Sequence, residues 1–401
     1  MTFSNKQQEV TPKQNYFLSQ PHQPFFVLGI FNAIIMMLIF ALNYKGILTL
    51  HNEMLNIHAY SLIFMVFTNV FTGFLFTTYP RFCNGEIISK EYYKNLFYAT
   101  ALSSVIFITG LFVNNLLMIL GMFALFISQA FVVLKLHNIY KNSNAKAQED
   151  PYWILMAQYF GVIGHFIFLV SVFGLDLQNF AIMLSFYMYL IFLTFSVAQR
   201  MIPFFAHSFE PKDERFVSAV FVLFILKTLL STFDSYNYVK IVEIVLDLLI
   251  ALYLLGEFLR WKLPLFTSPS ILWVLFLGLF WLPTAFFFSA LSSVLELLLD
   301  TSFYFLSIHM IAIGFLTTIL IGFGTRVTLG HSGQSPMADN IATKIFWFVQ
   351  AVVLFRVLYS INIGFDFGLN FLFDISFTAW LILFLVWAAR YGKVLIFGSK
   401  L

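Results

Sequence analysis

Eight histidines and a single cysteine bound the chemistry open to this 401-residue chain. Cys83 alone excludes an internal disulfide, the Cys-x-x-Cys-His attachment of c-type haem and any multi-thiolate iron or zinc site. A metal would therefore rest on imidazole, thioether or oxygen donors. Position sorts the imidazoles: His22, His137, His207 and His331 fall in polar segments, His51 at the opposite boundary, and His58, His165 and His309 inside long apolar runs. An ionisable side chain in such a run is a functional candidate, because hydrocarbon penalises polar groups that lack partners. The competing reading of each is a structural imidazole bonded to a neighbouring carbonyl or hydroxyl.

The elements that must position these groups follow from composition. The chain is 60% hydrophobic and only 10% charged, whereas soluble domains carry about 25% charged residues. Its solvent must be mostly lipid. Runs long enough to cross the hydrocarbon layer, roughly 20 residues each, lie near 25–43, 58–79, 95–113, 115–134, 152–174 and 178–198. Six more lie near 216–233, 237–258, 271–290, 302–323, 342–361 and 371–391. None alternates polar and apolar residues as a barrel strand would. The expectation is an all-α polytopic bundle of about twelve transmembrane helices over 25–392, with a cytoplasmic N-terminal segment 1–24 and a cytoplasmic tail 393–401. Orientation rests on basic residues staying cytoplasmic. Of the 22 Lys and Arg, 18 fall at the termini or in the loops of one face, among them Arg81, Lys146, Arg200 and Arg215; only Lys45 and Lys240 fall on the other. A net charge of +3 with scattered basic residues gives no reason to expect nucleic acid. The first twenty residues show no apolar core with a cleavage site, so no signal peptide is expected.

Helices two and ten would both run inward, so His58 and His309 would both lie in the outer half. Two parallel helices that each offer a neutral imidazole can hold a haem between them, b-type in the absence of a cysteine pair. Counted back from Arg81 and Arg326, the two histidines differ in depth by about 9 Å at 1.5 Å per residue. His165, flanked by Gly161 and Gly164, is the alternate ligand. Those glycines would admit a flat macrocycle or a neighbouring helix. Glu243 and Asp247 share one helix face with Lys240, and Lys227 and Arg356 are expected as countercharges. A proton route and a structural ion-pair cluster are both open for that group, the cluster being favoured. Arg81, Arg200 and Arg326 recur four helices apart, and Gly73-Phe74-Leu75-Phe76-Thr77-Thr78 is like Gly314-Phe315-Leu316-Thr317-Thr318. A repeated four-helix unit or chance would each explain this. The run Thr325 to Gly333 reads as a turn after helix ten, and Pro203 as the stop of helix six.

Several pieces resemble the NnrS family: Pro21-His22-Gln23-Pro24-Phe25-Phe26, Gly73 to Pro80, Gln199-Arg200-Met201-Ile202-Pro203, and above all His309 through Thr325-Arg326-Val327-Thr328-Leu329-Gly330-His331-Ser332-Gly333 to Pro336. The resemblance implies a bacterial inner-membrane protein that binds haem, and copper as well, and that responds to or protects against nitric oxide. It adds Arg326 and His331 to His58, His309 and His165 as cofactor-binding candidates, with His58 and His309 as the metal ligands. The family's His-Ala-His-Glu-Met appears here as His58-Ala59-Tyr60-Ser61-Leu62. If the missing His and Glu serve copper, that metal is lost and a haem on His58 is retained. A more distant likeness is to the catalytic subunit of haem-copper oxidases, where helices two and ten supply the low-spin haem ligands. The copper-site histidines of helices six and seven have no counterpart here. Two other functions remain open, a twelve-helix transporter or permease and a redox enzyme with an open-coordinate haem.

Overall fold

The structure is a computed structural model that describes residues 16–401 except 51, 52, 209, 212, 234–236, 266 and 304. His51 lies outside the described residues. Among the described residues twelve helical rods follow one another: α1 (His22–Tyr44), α2 (Met54–Phe82), α3 (Lys90–Val113), α4 (Asn115–Lys141), α5 (Glu149–Ser171) and α6 (Gln178–Phe205). The rest are α7 (Phe216–Thr232) and α8 (Asn237–Arg260), then α9 (Ser270–Leu299), α10 (Leu306–His331), α11 (Asn340–Phe365) and α12 (Phe371–Phe397). Ten are long and apolar enough to cross a membrane. Of the other two, α7 has only 17 residues, and α8 carries Lys240, Glu243, Asp247 and Glu257 along its length. The chain is a multi-pass membrane protein, and its exposed Phe, Leu, Ile and Val side chains are the surface that lipid would cover. The bundle runs slightly past 25–392 at each end, since α1 starts at His22 and α12 reaches Phe397.

Local signals explain several boundaries. The side chains of Asn114 and Asp339 accept from the backbone N–H groups of Leu117 and Ala342, both at 2.8 Å, capping α4 and α11. Pro203 sits in the last turn of α6, which continues two residues beyond it to Phe205. The run from Thr325 is also helical through His331, so the turn begins seven residues later than its polar composition suggests. Burial explains the difference, because Thr325 is wholly buried and its hydroxyl accepts from Trp387 Nε1 at 3.0 Å. A polar residue with a buried partner does not end a helix.

Helices α2, α6 and α10 form the centre: 83%, 83% and 72% of their apolar stretches are buried, against 39% in α11 and 33% in α12. The other rods surround them, and α1 packs on α12 to close the bundle. Each central rod contains a π-helical segment: Ser61–Phe67 in α2, Ser185–Ile191 in α6 and Met310–Thr317 in α10. Such segments are rare and recur at functional sites. Threonine hydroxyls reach back five residues to the carbonyls left by the wider turn. Thr68 donates to Ile63 O at 2.8 Å, Thr317 to Ala312 O at 2.8 Å and Thr318 to Ile313 O at 3.2 Å. Tyr189 then ties α6 to α2, its hydroxyl donating to Thr68 Oγ1 at 3.0 Å. The π segments recur four helices apart, like Arg81, Arg200 and Arg326. The Gly73 and Gly314 runs are not in register with them, since Gly314 lies inside its π segment and Gly73 lies six residues after its own.

The first and last described segments meet at one face, where Tyr16 packs against Gly398. That is the face the basic residues mark as cytoplasmic by expectation; the opposite face is called outer below.

Candidate functional site

At the outer end, α1, α2, α6, α10, α11 and α12 surround a cavity of about 480 Å³, within the roughly 300–1,000 Å³ range of small-molecule and cofactor sites. Its walls are mostly apolar, with Met37, Phe40, Phe67, Met183, Phe377 and Trp380 among them. Glu53, Asn56, Asp176 and Gln178 form a polar mouth, knit together where Asn56 Nδ2 donates to Glu53 Oε2 at 2.8 Å. His58, His309 and Arg356 all face this one space.

The two imidazoles are held differently. His309 Nδ1 lies 2.9 Å from the carbonyl oxygen of Phe305. A carbonyl only accepts, so Nδ1 carries the proton and Nε2 keeps its lone pair, which is the tautomer a ligating histidine needs. Phe305 stands at the turn into α10 with φ 57°, a conformation that non-glycine residues adopt at an energetic penalty and that clusters at functional sites. His58 instead stacks on Phe40, with ring centroids 4.3 Å apart. Arg356 Nη1 donates to Ser360 Oγ at 2.5 Å, and the neighbouring Tyr359 hydroxyl meets that of Tyr44 at 2.9 Å. These contacts fix a cation and two aromatic rings on the α11 side of the cavity.

His58 and His309 line one cavity despite the offset of about 9 Å expected by counting from the arginines. His58 precedes the end of its π segment at Phe67 by nine residues, and His309 precedes the end of its own at Thr317 by eight. The arginines are what differ: Arg81 stands fourteen residues past its π segment and Arg326 nine past its own.

His165 lies elsewhere. It is wholly buried, with Nδ1 at 2.7 Å from Gln129 Oε1 and Nε2 at 2.9 Å from the Tyr60 hydroxyl. Both ring nitrogens are therefore used, and Phe64 stacks on the ring at 3.9 Å. Gly161 and Gly164 serve the approach of α6, since a Cβ there would strike Tyr189 and Ser185 respectively. Tyr60 is thus the hydrogen-bond partner of His165.

Arg326 and His331 sit at the opposite end of α10 from His309. The Arg326 guanidinium lies over the Phe205 ring at 4.0 Å. The His331 ring approaches that of His22, with centroids 4.9 Å apart; His22 is buried and its Nδ1 has no hydrogen-bond partner among the described residues. That approach joins positions 309 residues apart in sequence and carried no local signal. Neither Arg326 nor His331 lines the outer cavity. The charged group of α7 and α8 also resolves: Lys227 Nζ lies 2.8 Å from Glu243 and 2.7 Å from Asp247. Lys240 pairs with Glu296 at 2.8 Å, and Arg356 belongs to the cavity instead. Among the described residues no three or more His, Cys, Asp or Glu side chains gather as a metal site.

No curated protein matches the sequence. The family model described as NnrS protein matches residues 16–397, nearly the whole chain, and the chain belongs to the NnrS family.

Proposed function

We propose that this protein binds a b-type haem in the outer cavity, with His58 and His309 as axial ligands, and that it acts in the bacterial inner membrane in the response to nitric oxide. The observation that carries the reading is that two imidazoles on neighbouring helices face one cavity of cofactor size, one of them already held with Nε2 available. Family membership supports the nitric oxide part. A bound haem would supply a redox-active iron centre that a small diatomic ligand could reach only where one imidazole gives way. The chain's own contribution is positional. Phe305 holds the His309 tautomer, Phe40 sets the plane of His58, and Arg356 offers a counterion to carboxylates. The apolar walls keep bulk water from the centre. Copper does not fit at the second motif position, where Tyr60 is bonded to His165, and no step is assigned to it.

The test is the absorption spectrum of detergent-purified protein made in cells supplied with iron and haem precursor. Two imidazole ligands should give a Soret band and the reduced spectrum of a six-coordinate low-spin haem. His309→Ala and His58→Ala should each abolish haem or leave it high-spin and open to CO. Well-folded wild-type protein without haem would overturn the assignment and favour a transporter. A strain lacking the protein should grow normally without stress and poorly under acidified nitrite; equal growth across doses would remove the nitric oxide role.

A further inference from the structure

A second, smaller cavity lies on the axis of the molecule, where α2, α6 and α10 meet α1. It offers about 40 Å³, against the roughly 10–15 Å³ that a single water needs on the same measure. Val70, Phe74, Leu193, Val197, Leu316 and Phe323 line it, and all six are buried. The lining holds one polar side chain, Thr194. Its hydroxyl is buried without a hydrogen-bond partner among the described residues. A buried water is kept by two to four polar partners, and one hydroxyl in an apolar wall is too few. An uncharged diatomic gas fits both the size and the wall: it loses almost no hydration on entering, and a single O–H can bond weakly to it.

Location gives the cavity its partner. The outer cavity ends at Phe67, Leu190 and Ile313 on the three central rods. The inner one begins at Val70, Leu193 and Leu316, three residues further along each rod, about one turn. The three π segments end close to this boundary, at Phe67, Ile191 and Thr317.

We propose that this central cavity is a holding site for an uncharged diatomic gas, nitric oxide being the physiological occupant, in line with the outer cavity. The identity of the gas rests on the haem reading; the cavity's preference for such a molecule does not. The site would keep a gas molecule within one helical turn of the outer cavity, so that a ligand released there is recaptured before it escapes into lipid.

Xenon is the probe, because it binds apolar cavities of this kind by size. Crystals of wild-type protein under xenon pressure should show the atom among Val70, Leu193 and Leu316, and so should His309→Ala. Failure of the haem reading is therefore separable: protein without haem that still takes xenon here loses only the nitric oxide assignment. Val197→Phe should fill the space and lose the xenon, with circular dichroism unchanged. In a haem-retaining His58→Ala or His309→Ala protein, open to CO, photolysed CO should show a slow internal recombination phase that xenon removes. An ordered water on Thr194 in place of xenon, an empty cavity under xenon, or xenon retained in folded Val197→Phe would overturn the proposal. If Val197→Phe does not fold, the wild-type xenon position decides alone.

Discussion

The outer cavity and the ion cluster of α7 and α8 both place ionisable groups within the bundle, and they satisfy them in opposite ways. In the cluster, Lys227 is closed between Glu243 and Asp247, and the Ser231 hydroxyl donates to Glu243 at 2.5 Å. All four residues are buried. In the cavity, His58 and His309 stay partly accessible, and what they are accessible to is the cavity itself. Hydrocarbon penalises both arrangements unless partners are found. The cluster finds them within the protein, which suits structure. The cavity leaves donors to be met by something brought from outside, which suits binding. His165 is the internal control: an intramembrane histidine like the other two in sequence, yet saturated like the cluster.

Four substitutions test this contrast. The largest effect is expected from Lys227→Met, which leaves two buried carboxylates without their cation; breaking a buried pair in this way destabilises by about 3–5 kcal/mol. Thermal unfolding in detergent should show a large drop or loss of folded protein, and an unchanged midpoint would mean the cluster is not structural. Next, His165→Ala should destabilise by about 1–3 kcal/mol, because the Tyr60 hydroxyl and Gln129 are left buried and unpaired. Its haem spectrum should stay low-spin; a change to high-spin would make His165 a ligand and erase the distinction. His309→Ala should behave conversely, with a smaller shift of the unfolding midpoint than His165→Ala when both are measured haem-free, because its single Nδ1 bond is to a backbone carbonyl. The smallest effect is expected from Lys240→Ala. The Lys240–Glu296 pair is partly exposed, and such a pair contributes about 0–1 kcal/mol. A drop as large as that of Lys227→Met would show that the whole charged face of α8 acts as one unit. Orientation has its own check: reporters after Lys146, Arg215 and Lys400 should read cytoplasm, and one at Asn114 the outside.

The rods were legible because a span of about 20 apolar residues has few alternatives in lipid. That His58 and His309 face one space was legible in part, since both fall near the outer ends of helices expected to run in the same direction. Their similar offsets from the π segments were not, because i to i+5 bonds follow from tertiary packing and leave no compositional trace. The roles of Lys227 and Arg356 illustrate a similar boundary. Both read as countercharges in an apolar run, but which acids each would meet depends on helix neighbours, and only Lys227 has α8 beside it. His22 was passed over because a polar segment before a helix reads as solvent-exposed, while the structure folds it against the end of α10.

The π segments have a mechanical consequence. An α-helix turns about 100° per residue, so a residue added to or removed from one of these segments acts as a phase adjustment between the two parts of its rod. Removal of Ile63 would swing His58 around the axis of α2 and out of the cavity, while Thr68–Phe82 kept its seat against α1. The outer and inner portions of the three central rods are therefore geared separately. The cavity-facing end would be re-aimed by a single insertion or deletion there, the wider π turn taking up the change in residue count.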